Sequence, residues 1–135
     1  MPLLKNILLI DDNQFNNYVN RNTILNANLA SEIHIVHGGL EALHRLQQFR
    51  NENKMPDLIL LDFGMGKLNG IEFLQLFEKM SFNKRPKIVV LTTEENKTEL
   101  EKTSTYNVIG TLFKPLTIEK LKAVIESNFS QRQAS

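Results

Sequence analysis

The chain contains no cysteine, which excludes disulfides, thiolate metal sites and thiol catalysis and fits a reducing compartment. It also lacks an excess of charge of one sign. Its 16 Lys and Arg stand against 15 Asp and Glu, interspersed, for a net charge of +1. Without a concentrated basic face to grip a phosphate backbone, nucleic acid is not expected as a direct partner. Long apolar runs are missing as well: between Met1 and Ile10 a short apolar stretch meets two aspartates, too little for a signal peptide or a membrane span. No internal repeat or low-complexity linker is found. These absences predict a soluble, cytoplasmic protein with no membrane partner. What is present, 135 residues at 41% hydrophobic, suits one compact domain with a sizeable core and no fused effector. The expected domain is 1–135, with a core from about 6 to 129 and a polar tail over 130–135.

Short apolar runs alternate with helical patterns, which argues for βα units around a parallel sheet. Ile7 to Ile10 reads as the first strand, and Asn13 can cap the helix after it. That helix carries Phe15, Tyr18, Val19, Leu25 and Leu29 at roughly helical spacing, with Asn22 as a polar gap in the stripe. Its many asparagines lower helix propensity, so tertiary packing must hold it. Glu32 to Val36 reads as a short edge strand, and Gly38-Gly39 opens a helix with Leu40, Leu43, Leu46, Gln47 and Phe49. Leu58 to Leu61 and Ile88 to Leu91 are fully apolar strands. Between them a helix over Ile71 to Met80 is expected, with Ile71, Leu74 and Phe77 on one face and Phe73, Leu76 and Met80 widening it. Asn96 to Thr105 has only Leu100 as a strong apolar anchor, so a helix there is expected to be the least stable of five. Its charges, from Glu94 to Lys102, suit a solvated face. A last strand, Ile109 to Phe113, precedes a helix over Ile118 to Phe129 that would bury Ile118, Leu121, Val124, Ile125 and Phe129.

The four apolar strands end on residues suited to phosphoryl chemistry: Asp11-Asp12, Asp62, Thr92, and Lys114-Pro115. In a parallel α/β sheet the C-terminal strand ends share one edge, where ligands bind. Three carboxylates, a hydroxyl and an ammonium would therefore meet there. Asp11, Asp12 and Asp62 can hold a hard divalent cation such as Mg²⁺. Each residue has a plainer reading taken singly. The paired aspartates can cap the next helix, Asp62 can be a surface acid, Thr92 a turn residue and Lys114 a solvated lysine before a turn proline.

Taken together, these residues resemble the receiver domain of bacterial response regulators, from Ile7 to about Phe129. The matching elements are Ile10-Asp11-Asp12, Pro56-Asp57 leading through the apolar strand to Asp62, Met65 and Gly70 after it, Leu91-Thr92, and Lys114-Pro115-Leu116. The intervals from Asp62 to Thr92 and from Thr92 to Lys114 fit too, and His37 to Leu43 looks like the start of the family's second helix. The resemblance implies a doubly wound, flavodoxin-like (βα)₅ fold in three α/β/α layers, with strand order 2-1-3-4-5. It implies that Asp62 accepts a phosphoryl group from a histidine kinase or phosphotransfer protein. Mg²⁺ or Mn²⁺ would be held by Asp12 directly, by Asp11 in support, by Asp62, and by the backbone carbonyl of Gly64. Lys114 and Thr92 would bind phosphoryl oxygens, and a cis bond before Pro115 would aim the ammonium. Gly64, Thr93 and Glu94 correspond to positions that tune the lifetime of the phosphoryl group. The implied protein is a stand-alone switch in a two-component system, acting by contact with an unknown downstream protein rather than as a turnover enzyme.

Three positions depart from the family pattern. The switch aromatic three residues before the lysine is Thr111, the proline that often follows Met65 is Gly66, and Gly64 replaces a larger side chain. They motivate the alternative of a degenerate receiver that serves as a phosphorylation-independent interaction module. Phe113 alternates with Lys114 along its strand and is expected in the core. An aspartyl-phosphate hydrolase of the haloacid dehalogenase type fits poorly, since Gly64 stands where it needs a second acid. A flavodoxin-like electron carrier also fits poorly, because an acidic first loop would repel a flavin phosphate. His34, His37 and His44 are scattered and form no metal-spaced cluster.

Overall fold

Five strands, β1 (Leu4–Ile10), β2 (Ala30–Val36), β3 (Leu58–Asp62), β4 (Lys87–Thr92) and β5 (Val108–Phe113), pair in parallel in the order β2-β1-β3-β4-β5. A computed structural model describes residues 2–63, 70–93 and 101–129. Every residue of β3 is buried, and β1 and β4 are buried along nearly their whole length. Their apolar runs, Ile7 to Ile10, Leu58 to Leu61 and Ile88 to Leu91, follow from this, since a central parallel strand is covered on both faces. The expected doubly wound order is therefore the observed one. The edge strand β2 begins at Ala30, two residues ahead of the expected Glu32, because its register with β1 continues down to Leu4 opposite Ala30.

Four α-helices are described: α1 (Gln14–Asn26), α2 (Gly39–Glu52), α3 (Gly70–Glu78) and α4 (Ile118–Phe129). One core cluster joins Ala42, Leu46 and Phe49 of α2 and Phe73, Leu74 and Phe77 of α3 to Leu8, Ile10, Ile59, Leu61 and Val90. The other joins Ile24 of α1 and Leu121 and Ile125 of α4 to Ile7, Leu9, Leu58, Leu60 and Leu91. Alternate residues of each central strand thus feed opposite layers, as the two-residue period of a strand requires. Asn13 caps α1 by accepting from Asn16 N at 2.8 Å, and Asn28 and Asn53 close α1 and α2 in left-handed backbone at φ 57° and 59°.

Several expected helix faces are corrected. Phe15, Tyr18 and Val19 are exposed, whereas α1 buries Asn17 and Ile24. Leu40 and Ile118 are exposed at the first turns of α2 and α4, and Leu76 is exposed on α3. Phe113, expected in the core, is also exposed, at the last residue of edge strand β5. α3 starts at Gly70, one residue earlier than expected, and stops at Glu78. Of the helix expected over Asn96 to Thr105, residues 96–100 lie outside the described residues, and Lys102–Thr105 forms a 3₁₀ turn. The tail 130–135 lies outside them too. Among the described residues, no helix is long and apolar enough to cross a membrane.

Gly70 is required by close approach rather than by an unusual dihedral. A Cβ there would stand 2.2 Å from Cδ1 and Cε1 of Phe63. The ring next to Asp62 therefore lies directly on the first turn of α3.

Candidate functional site

Backbone pairing brings the polar strand ends to one edge. Asp11 N donates to Val36 O at 3.1 Å, carrying β1 pairing one residue past Ile10. Asp62 closes β3 in register with Leu91, and Phe63 N donates to Leu91 O at 2.9 Å. Thr92 closes β4, and Lys114 N donates to Thr92 O at 2.8 Å. All of these lie at the C-terminal edge of the sheet, where α/β folds bind ligands.

One carboxylate oxygen from each of Asp11, Asp12 and Asp62 falls within 4.8 Å of the others. Asp11 and Asp62 are buried at 1% and 3% exposure, and Asp12 is exposed. Asp11 Oδ1 accepts from Asn13 N at 2.9 Å, forming a turn that closes over Asp12. Its other oxygen, Oδ2, is buried with no hydrogen-bond partner, and so is Asp62 Oδ1. Lys114 Nζ lies 2.5 Å from Asp62 Oδ1 as an ion pair, without the alignment of a hydrogen bond. Burial pushes the Asp11 carboxyl up to about 6, and the neighbouring Asp62 carboxylate adds to the rise. The Asn13 amide and the Lys114 ammonium oppose it. A buried Asp11 oxygen with no hydrogen-bond partner, a buried Asp62 oxygen met by the Lys114 ammonium and an exposed third carboxylate suit a hard divalent cation, which prefers oxygen ligands and keeps several waters.

The structure brings Asp11, Asp12, Asp62, Thr92 and Lys114 to this edge. Thr92 is fully buried, and its hydroxyl donates to Thr93 O at 3.3 Å. Thr93 follows β4 and is half-buried. Thr111 is half-buried on β5, in register with Val90 two residues before Thr92. The Lys114–Pro115 bond is cis. Gly64, Met65, Gly66 and Glu94 lie outside the described residues. Beside Lys114, a groove of about 370 Å³ is lined by Phe15, Val19, Asn20, Leu91 and Pro115 among others. The exposed apolar side of α1 therefore borders the site.

Sequence reasoning missed Asn17. It is buried at 3% exposure, and its Nδ2 donates to Asp11 O at 2.8 Å. The available signal was its place one helical turn past the capping Asn13, immediately behind the acid pair.

Residues 7–126 match the model of the response regulator receiver domain. A probable chemotaxis protein CheY of Rhizobium etli is 35% identical over 72 residues, covering 53% of this chain and 56% of that protein. The chain thus spans little more than half of that relative. Response regulator Rcp1 of Synechocystis sp. is 32% identical over 99 residues, covering 71% of this chain and 67% of Rcp1. Among solved structures, a two-component response regulator from Cytophaga hutchinsonii superposes with a TM-score of 0.82 at 25% identity, covering 92% and 96% of the two chains. With five parallel strands in the order 2-1-3-4-5 and this match over most of its length, the chain belongs to the response regulator receiver domain family.

Proposed function

We propose that this receiver is an active switch that accepts a phosphoryl group on Asp62 from a histidine kinase or phosphotransfer protein. The convergence of the Asp11, Asp12 and Asp62 carboxylates, with the buried Asp11 Oδ2 unpartnered and Lys114 paired to Asp62 Oδ1, carries this reading. An Asp62 carboxylate oxygen attacks phosphorus, the bond from phosphorus to the donor imidazole nitrogen breaks, and an acyl phosphate forms on Asp62. Lys114 holds Asp62 before transfer and a phosphoryl oxygen afterwards. The Thr92 hydroxyl, whose 3.3 Å bond to Thr93 O is long, turns to donate to a second oxygen. Asp11, Asp12 and Asp62 would hold Mg²⁺ or Mn²⁺, with the backbone carbonyl of Gly64 as the further ligand the family resemblance implies, and the ion would offset repulsion between the nucleophile and the incoming group.

The added negative charge and acceptor oxygens then change contacts with a downstream protein. Residues from about 6 to 129 act as a single cytoplasmic receiver unit without catalytic turnover. Thr93, Glu94 and Gly64 occupy the sequence positions that tune the phosphoryl lifetime in the family. Thr111 takes the switch position without an aromatic ring.

The test is the intact mass of the protein after incubation with acetyl phosphate, with and without Mg²⁺, alongside Asp62→Asn. A metal-dependent gain of one phosphoryl group, absent from the folded variant, is expected. Labelling that persists in Asp62→Asn would refute the assignment of the acceptor. No gain in the wild type, together with no beryllofluoride binding, would favour a phosphorylation-independent interaction module.

A further inference from the structure

Asp12 is the one exposed member of the acid cluster, so packing does little to set its direction. Its backbone does that instead. The peptide plane ahead of it, between Asp11 and Asp12, is held by its carbonyl oxygen, which accepts from Asn17 Nδ2 at 2.8 Å. The plane after it, between Asp12 and Asn13, is held by its N–H, which donates to Asp11 Oδ1 at 2.9 Å. With both flanking planes pinned, the Cα–Cβ direction of Asp12 is fixed. Asn17 supplies the first pin from inside α1, where its own Oδ1 is buried with no hydrogen-bond partner. An amide left half-satisfied in a core is unfavourable for stability, so the bond it does make to the Asp11 carbonyl is what its placement secures.

We infer that Asn17 is a positioning residue for the divalent cation: it holds the Asp11–Asp12 peptide so that the exposed Asp12 carboxylate points into the site. The inference rests on the metal-dependent reading above. It reaches the metal through the backbone, so Asn17 need not touch the ion. It also accounts for a buried asparagine on the inward side of α1, on one face with Ile24, while Phe15, Tyr18 and Val19 face out.

The experiment compares wild type with Asn17→Leu and Asn17→Ala, measuring Mn²⁺ affinity by the loss of the free-ion paramagnetic resonance signal and stability in EDTA by thermal melting. Asn17→Leu removes the unpaired Asn17 Oδ1 but leaves the Asp11 carbonyl without its donor, so in EDTA it is expected to fold and to melt somewhat below wild type while binding Mn²⁺ about five- to tenfold more weakly, the scale of one net hydrogen bond. A merely structural role would lower the melting temperature and leave the Mn²⁺ affinity of the folded variant unchanged. Folded variants with wild-type Mn²⁺ affinity overturn the inference and leave the proposed function standing. A wild type that binds no Mn²⁺ overturns both. Should neither variant fold, nuclear magnetic resonance on the wild type decides. Asn17 side-chain amide protons exchanging as fast as those of the exposed Asn26 overturn the inference, and protected ones that shift together with the Asp12 amide on Mn²⁺-free Mg²⁺ titration support it.

Discussion

Replacing Asp11 with asparagine should stabilise the metal-free protein at neutral pH, although Asp11 sits at the centre of the candidate site. In the fold its carboxyl is raised from 3.8 to about 6, first by burial and then by the Asp62 carboxylate. A raised carboxyl binds its proton more tightly in the folded state than in the unfolded chain. The stability associated with that proton is fully present below about pH 4 and is lost as pH rises through about 6. A rise of about two units corresponds to roughly 3 kcal/mol. Asparagine carries no charge to desolvate, its Oδ1 can still accept from Asn13 N, and its Nδ2 can donate toward Asp62. Asp11→Asn should therefore exceed wild type by about 2–3 kcal/mol at pH 7.5 in EDTA, or roughly 5–10 °C in Tm for a chain of this size. Near pH 4 the two should melt together. The assay is a series of thermal melts of both proteins from pH 4 to 8 in EDTA, with far-UV circular dichroism as the probe. A variant no more stable than wild type at pH 7.5, or an advantage that does not grow between pH 4.5 and 7, would refute the electrostatic reasoning. Saturating Mg²⁺ should reverse the order, because ligand binding to the folded state raises the stability of whichever protein retains the site.

Other consequences are equally direct. Gly70→Ala should cost about 1–3 kcal/mol in urea denaturation, since a Cβ would lie 2.2 Å from two Phe63 ring carbons; Phe63→Leu should relieve most of that loss, and additive effects of the two changes would argue against the contact. Asp57, whose Oδ2 accepts from Lys5 N at 2.9 Å and Asn6 N at 3.4 Å, ties the start of β1 to the chain entering β3, so Asp57→Ala should lose about 1–2 kcal/mol. An unchanged urea midpoint would show these bonds to be negligible. Tyr18→Ser, on the exposed side of α1, should alter stability by no more than about 0.5 kcal/mol, whereas a larger loss would mean that this side is covered. Leu60→Ala, in a strand buried on both faces, should cost about 2–5 kcal/mol by the same measurement.

The sheet was legible in the residue order because its three inner strands are covered on both sides and each carries an apolar run of four residues, Ile7 to Ile10, Leu58 to Leu61 and Ile88 to Leu91. The polar residues that end those runs, Asp11, Asp62 and Thr92, could be placed on one edge before any coordinates, since parallel strands share a direction. Helix faces were less legible. Counting apolar positions put Phe15, Tyr18 and Val19 on the inside of α1, but that reasoning weighs only the transfer of side chains from water. It omits the backbone carbonyl of Asp11, which is buried at the strand end and needs a donor. α1 turns an asparagine inward to meet that need, and its aromatic side is left bordering the groove beside Lys114. Composition and periodicity thus determined the class of fold and the chemistry of its edge. Which side of α1 lies against that edge, and which carboxylate oxygens lack donors, was decided only when distant strand ends were brought together, because a buried polar group draws its partners from the whole fold rather than from its neighbours in the chain.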